Sequence, residues 1–197
     1  MKIVISETQY QRLIETKEKP KILRFPSLRF FDREEIVAWE LILKIVEKKG
    51  NVPFAIDGDL DLGNLNIFSL GTLVSVGGDV NLQETPLESL GNLQSVGGEL
   101  NLNGASIKSL GDLKTVGDDL DLRYTRITTL DNLESVGGDL TLTLSPIKKL
   151  NDLKYVGGNI DIRGTPLGEF FKGQFPYEVL KEFRKYIDVQ GFVVYQS

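Results

Sequence analysis

Apolar and polar positions follow one another along the chain in a pattern that repeats every 20 residues. From residue 58 the sequence divides without gaps into five units of 20 residues, and a sixth unit, which is incomplete, follows them. The six unit positions 3, 5, 10, 13, 16 and 19 are apolar in every complete unit, as the fourth unit shows with Leu120, Leu122, Ile127, Leu130, Leu133 and Val136. A fixed period of this length is typical of solenoids, in which stacked units bury one continuous apolar core.

The spacing of apolar residues within a unit predicts its elements. Positions 3 and 5 alternate with polar residues, which indicates a short β-strand with one buried face. Positions 10, 13, 16 and 19 recur every three residues, which favours 3₁₀-like or extended turns over an α-helix. We therefore expect one parallel β-sheet of about six short strands and an opposite side that is mostly non-helical.

Three polar columns predict how the units turn. Position 14 carries residue types that tolerate a positive φ, which predicts a left-handed corner (Gly71, Gly91, Gly111, Asp131 and Asn151). Position 15 carries side chains that can cap a turn by accepting bonds from backbone N–H groups (Thr72, Asn92, Asp112, Asn132 and Asp152). Position 8 carries hydroxyls that we expect to be buried and bonded to the backbone (Thr85, Thr125, Ser145 and Thr165).

The repeated strand segment resembles the core motif of leucine-rich repeats. LDLRYTRI, from Leu120 to Ile127, fits the motif LxLxxNxL with Thr in place of Asn, and the same frame recurs from Val80, Leu100, Leu140 and Ile160. The sequence departs from the motif because Gly stands where the family has a leading Leu, and its texture also resembles receptor L-type domains. The resemblance implies a right-handed α/β-type leucine-rich-repeat solenoid over residues 58–171 whose sheet lines a concave, ligand-facing surface.

The segments before and after the repeats look like caps for the open ends of the solenoid. Residues 1–57 are predicted to form an N-terminal helical cap, with a strand in residues 2–5 and helices over about 6–17 and 33–49. The basic stretch in residues 17–29 is interpreted as a linker over this cap. Residues 172–197 are predicted to form a C-terminal cap with a helix near residues 177–187 and a closing strand in GFVVY. The opening SETQYQRLIE resembles the start of tailed-bacteriophage proteins of unknown function, which implies a phage origin.

Charge is concentrated in the repeats. The formal charge is +2 over residues 1–57, −8 over residues 58–171 and +1 over residues 172–197. The acids form columns at positions 2 and 4, on the outward face of the predicted strands, and position 6 adds two arginines to the same face. The residues of this predicted partner-binding face are Asp59, Asp61, Asp79, Asn81, Glu99, Asn101, Asp119, Asp121, Arg123, Asp139, Asp161 and Arg163.

Three functions of this face are compatible with the sequence. Like charges stacked across neighbouring strands destabilise a sheet, so the acids either bind a basic or polar protein partner, or bind a cation, or form a solvated surface that opposes edge association. We expect a non-catalytic protein–protein interaction module that is more readily a monomer than a dimer. The alternatives are a structural or assembly component that uses its caps, and a carbohydrate-active enzyme that uses paired carboxylates.

The composition of the chain excludes several kinds of catalytic and metal-binding site. The 197 residues include no Cys and no His, which excludes disulfides, thiolate metal sites and imidazole-based catalysis. The acids follow the structural period instead of interrupting it, so we expect no catalytic residues, no cofactor and no dedicated metal site. The acidic repeats disfavour nucleic acid. The most apolar run, in residues 36–46, is too short to span a bilayer, and the start lacks a signal-peptide pattern, so we expect a cytoplasmic protein without membrane contact.

Overall fold

A computed structural model describes residues 22–25 and 35–195, which form a β-solenoid with two parallel sheets. The helices are α1 (Glu35–Lys48), α2 (Pro166–Phe170) and α3 (Pro176–Phe183). The strands are β1 (Leu23–Phe25), β2 (Phe54–Ile56), β3 (Leu60–Asp61), β4 (Leu73–Val76), β5 (Val80–Asn81), β6 (Ser95–Val96), β7 (Leu100–Asn101), β8 (Thr115–Val116), β9 (Leu120–Asp121), β10 (Ser135–Val136), β11 (Leu140–Thr141), β12 (Tyr155–Val156), β13 (Ile160–Asp161), β14 (Asp188–Val189) and β15 (Val193–Val194).

The number of sheets differs from the sequence prediction. One parallel sheet of about six strands was expected, but the described residues form an eight-stranded sheet in the order β1-β2-β4-β6-β8-β10-β12-β14 and a seven-stranded sheet in the order β15-β13-β11-β9-β7-β5-β3. The second sheet arises at positions 18 and 19, where a Val ends a run that the three-residue spacing assigned to turns. Because the period is constant, Val96 meets Val116 and Val76 in register, and these short segments pair as strands.

The apolar columns form the core as predicted. The leucines, isoleucines and valines of the repeats stack into one buried cluster that runs through all the coils. Thr125 illustrates the polar column at position 8, since its side chain is buried and its hydroxyl donates to the Leu122 carbonyl at 2.8 Å. The same bond occurs from Thr85, Ser145 and Thr165. The prediction of buried hydroxyls that satisfy the turn after the strand is confirmed.

Position 14 is the left-handed corner that its residue types predict. All five residues have a positive φ, from 46° at Asn151 to 60° at Gly71. Position 15 side chains are predicted to accept bonds from backbone N–H groups. Thr72 and Asn132 instead donate to carbonyls of the preceding coil, so the prediction is wrong for these two residues. The N–H at position 14 is instead capped from position 12, where Ser109 accepts from Gly111 at 3.0 Å.

The flanking segments continue both sheets. Part of the stretch interpreted as a linker is β1, which pairs with β2 and extends the eight-stranded sheet, so that interpretation is wrong for residues 23–25. The predicted strand in residues 2–5 and the first predicted helix lie outside the described residues. At the other end, the predicted closing strand is β15, which pairs with β13. A further strand, β14, pairs with β12 and was not predicted.

Two of the helices lie in those flanks, and the helix over residues 35–48 confirms the one expected over 33–49. The α3 helix is shorter than expected and ends at Phe183. Within residues 22–25 and 35–195, none of the helices has the length and apolar character that crossing a membrane requires.

Candidate binding face

The predicted partner-binding face lies along the seven-stranded sheet. Each strand buries its first residue and turns its second outward, as Leu100 and Asn101 show. The position 2 residue stands directly before each strand and the position 6 residue two places after it. All twelve predicted residues therefore line the same row of parallel strands, with neighbouring strands about 4.8 Å apart.

The position 2 acids form a ladder of side-chain to backbone hydrogen bonds. The N–H of Asp79 donates to Asp59 Oδ1 at 2.8 Å, and the N–H of Asp139 donates to Asp119 Oδ1 at 2.6 Å. The same bond joins Glu99 to Asp79 and Asn159 to Asp139. These aspartates therefore have a structural role that sequence reasoning missed, because each one accepts the backbone amide one coil ahead. A charged acceptor makes such bonds stronger than neutral ones.

Glu99 is the break in this ladder. Its side chain is one methylene longer than aspartate, and among the contacts of the described residues it accepts no bond from the Asp119 N–H. Burial, followed by the charges of Asp119, Asp79 and Asp121, raises the pKa of Glu99. Partial loss of hydration and the neighbouring negative charges both disfavour the ionised form of this carboxyl group. The centre of the face therefore holds several acids close together.

The position 4 side chains close five strands of this sheet. Asp61 Oδ1 accepts the N–H of Gly63 at 3.1 Å, and the acceptor is always two residues before the donor. The same Asx turn is formed by Asn81, Asn101, Asp121 and Asp161. Such a turn competes with the strand ladder beyond position 4. The outward side chains at position 4 are thus held by their own backbone.

The two arginines pair with acids of the same strand ends. Arg123 Nε lies 2.9 Å from Asp121 Oδ2, and Arg163 Nε lies 3.0 Å from Asp161 Oδ1. The bond to Asp121 raises the pKa of Arg123, whereas for Asp161 burial is outweighed by Arg163, which lowers the pKa of that carboxyl. Both of these ion pairs lie in the later coils of the solenoid.

A groove runs beside the eight-stranded sheet, and backbone packing explains its composition. Its volume is about 580 Å³, and Ser95, Thr115 and the position 20 glycines line it. A Cβ added to Gly117 would lie 2.0 Å from the carbonyl oxygen of Gly97, and Gly97, Gly137 and Gly157 show the same close approach. Glycine is required there because successive coils touch through their backbones, so the groove needs no ligand to explain its composition.

The geometry can be compared with known proteins. The chain matches no known family model, no curated protein and no solved structure. The class that the fold itself defines is a β-solenoid with two parallel sheets.

Proposed function

We propose that this protein is a non-catalytic binding module that holds a basic or polar protein partner on the acidic face of the seven-stranded sheet. The observation that carries the proposal is the row of acids at the centre of this face, where the charges of Asp119 and Asp79 add to burial in raising the pKa of Glu99. Lysine and arginine side chains of a partner would relieve the repulsion between these acids, which favours the binding of a basic surface.

The acids of this face are fixed before a partner arrives. Asp79 and Asp119 each engage Oδ1 with a backbone N–H of the next coil. A carboxylate has acceptor sites on both oxygens, so Oδ2 of each can still accept from a partner. Side chains that are already ordered lose little entropy on binding, which raises the affinity that a given set of contacts supplies.

We propose that the flanking helices act as caps. Trp39 is buried with its ring 6.2 Å from Phe54, and its Nε1 donates to the Ser69 carbonyl of the first coil. At the other end, Val179 and Phe183 of α3 are buried against the last strands. A relationship to leucine-rich repeats stays a proposal that rests on the strand motif alone.

The test is a capture experiment with two variants of equal charge. The first carries Asp79→Asn, Glu99→Gln, Asp119→Asn and Asp139→Asn, which changes the formal charge from −5 to −1 while leaving an amide oxygen in place of each carboxylate oxygen. The control neutralises four acids elsewhere in the repeats, through Glu88→Gln, Asp112→Asn, Glu134→Gln and Asp152→Asn. Each protein, first shown to be folded by circular dichroism, is used to capture partners from a lysate of the source organism.

If the proposal is correct, wild type and the control variant capture a partner that the face variant does not capture. Retention by all three would assign binding to another surface and overturn it. Loss by both variants would show that only net charge matters, and it would also overturn a specific face.

A role in assembly is the second candidate function. It is favoured by five aromatic side chains near the C-terminal end that are more than 70% exposed, namely Phe170, Phe175, Tyr177, Tyr186 and Phe192. Large exposed apolar patches of this kind are typical of protein contacts. We do not propose the carbohydrate-active enzyme, because the acids follow the structural period and serve as acceptors for backbone amides.

A further inference from the structure

The C-terminal end of the solenoid contains an apolar cavity of about 550 Å³. It lies between the last complete coil and the two helices that follow it. Apolar side chains make up most of its wall (Leu150, Leu153, Leu167, Phe170, Phe171 and Phe183). Its volume and composition lie in the range of sites that bind apolar groups.

The cavity exists because the next coil is missing. Thr165 accepts the N–H of Gly168 and starts α2, so the chain leaves the repeat path before it can supply a leucine at position 13. The leucine at position 13 of the last complete coil, Leu150, is therefore only half-buried. Its equivalents in the earlier coils are at most 3% exposed (Leu70, Leu90, Leu110 and Leu130). The leucine and phenylalanine side chains of the wall thus offer an apolar contact surface for aliphatic side chains.

The acidic and basic side chains in and just after α3 lie on different sides of the helix. Glu178 and Glu182 line the cavity, one helical turn apart. The basic side chains Lys181, Arg184 and Lys185 line a different depression on the far side of the helix. Glu182 also pairs with Lys185, but the pair is about half exposed and such pairs contribute little. The rim of the cavity therefore favours an apolar group that is flanked by positive charge.

The opposite end of the same molecule presents such a group. Helix α1 buries Trp39, Ile42 and Val46 against the first coil. On the other side of the helix Leu41 is 57% exposed, and Ile45, Lys44 and Lys48 are exposed with it. Lys44 and Lys48 are four residues apart, as are Glu178 and Glu182, so the two charge pairs have the same spacing of about 5–6 Å.

We propose that the protein self-associates head to tail, with Leu41 and Ile45 of one copy entering the C-terminal cavity of the next copy, and with Lys44 and Lys48 facing Glu178 and Glu182. The two surfaces lie at opposite ends of the solenoid, about 29 Å apart by six strand spacings. A single contact of this kind leaves one surface of each copy free, so the contact is heterologous and the assembly grows as a chain or a ring.

The experiment uses two variants whose changes fall on exposed residues. The helix-end variant carries Leu41→Asp and Ile45→Asp. The cavity-end variant carries Phe170→Asp and Tyr186→Asp, at side chains that are 74% and 81% exposed. Each variant is measured by sedimentation velocity over a range of concentrations, alone and mixed in equal amounts, after thermal unfolding has shown that it folds.

A head-to-tail contact makes a specific pattern of assembly states. Wild type forms oligomers of increasing size, and each variant alone is monomeric because one partner of every contact is damaged, with affinity reduced about tenfold or more. The mixture forms heterodimers that do not grow, because the helix end of one variant and the cavity end of the other are both intact. A monomeric wild type, a mixture that stays monomeric, or a variant that still assembles would each overturn the proposal.

A charge-reversed pair tests the same contact without aspartate in an apolar site. Lys44→Glu/Lys48→Glu and Glu178→Lys/Glu182→Lys should each weaken assembly, and all four changes in one chain should restore it. Failure of the combined variant to assemble would overturn the charge pairing. The face variant with four neutralised acids serves as the control, since it should assemble like wild type whether or not the proposed partner binding is correct.

Discussion

The backbone N–H of Asp139 donates to Oδ1 of Asp119 in the preceding coil at 2.6 Å. The acid that looks like part of a binding face is therefore also the acceptor for its neighbour's main chain. The two roles can be separated because only one of them needs a charge.

Asparagine and alanine at residue 119 should have different effects on stability. Asp119→Asn keeps an acceptor oxygen and removes a charge that opposes Glu99, so we expect the free energy of unfolding to stay unchanged or to rise slightly. Asp119→Ala leaves the Asp139 N–H without its partner, and we expect a loss of about 1 kcal/mol. Urea unfolding monitored by circular dichroism measures both. Equal losses in the two variants would show that charge, and not the hydrogen bond, holds the ladder.

The raised pKa of Glu99 predicts how stability depends on pH. A carboxyl group whose pKa is higher in the folded state binds more protons there than in the unfolded chain, so the free energy of unfolding falls as pH rises from the unfolded pKa, about 4.3, through the folded one. Glu99→Gln should therefore be more stable than wild type at neutral pH, by less than about 1 kcal/mol because the side chain is only partly desolvated and solvent screens its charge.

The difference between Glu99→Gln and wild type should disappear below the unfolded pKa. Unfolding curves at acidic and neutral pH provide the comparison, with Glu88→Gln as the matched control. The control should show the opposite trend, because the hydrogen bond from Lys108 lowers the pKa of Glu88. A gain for Glu99→Gln that is the same at both pH values would contradict the assignment.

The sequence was sufficient to predict the parts of the fold that a recurring residue type determines. The core columns, the buried hydroxyls and the corner at position 14 follow from apolar spacing and from glycine, aspartate and asparagine in one column. The second sheet could not be predicted, since the pair Ser95–Val96 is too short to show a two-residue period and its pairing depends on the next coil. The apolar cavity could not be predicted either, because it forms at the place where the repeat ends.

The residues of the candidate face share one row of strands, as their spacing predicts, and their role in binding stays a prediction. Their bonding was not foreseen, because an Asx turn at Asp61 or a ladder bond to Asp119 depends on where the backbone amide of another residue lies. The pairing of Arg163 with Asp161 could be inferred from their separation of two residues alone.

The position 20 glycines should not accept any side chain. A Cβ at residue 117 would lie 2.0 Å from the carbonyl oxygen of Gly97. Because backbone cannot move aside cheaply, Gly117→Ala should cost about 2–3 kcal/mol. Gly91 is the control, since a Cβ there meets nothing within 4 Å and the same column holds Asn151 with φ 46°. Gly91→Asn should change stability by less than about 1 kcal/mol, as thermal unfolding would show. Equal effects of the two changes would mean that backbone contact between coils is not limiting.

Binding to the acidic face should depend on salt through the association rate. Exposed charges steer encounter over distances of about 10 Å at moderate ionic strength. For a partner captured by wild type, the association rate constant should fall as salt is added, while the dissociation rate constant changes less. Surface plasmon resonance at several salt concentrations measures both, and the face variant should show a shallower dependence. A salt response confined to dissociation would argue against steering by these acids.

Leu144 has a φ of 58°, and a bulky residue seldom adopts that conformation. Its N–H donates to the Arg163 carbonyl at 3.0 Å, and Glu84 makes the equivalent bond from the same unit position with a φ of 55°. The bond between coils therefore fixes the backbone whichever side chain is present, which explains why position 7 shows no preferred residue type. Leu144→Gly should be more stable than Leu144→Ala by about 1 kcal/mol, since both lose the side chain and only glycine loses the strain.

Residue 85 supplies the control for that comparison, because it follows a position 7 residue and has an ordinary backbone. Thr85→Gly should be less stable than Thr85→Ala, by the usual cost of glycine flexibility, about 0.5–1 kcal/mol. Chemical denaturation of the four variants gives the two differences. If glycine is the weaker residue at both sites, the left-handed backbone at Leu144 costs nothing, and the coil-to-coil bond does not force a strained conformation.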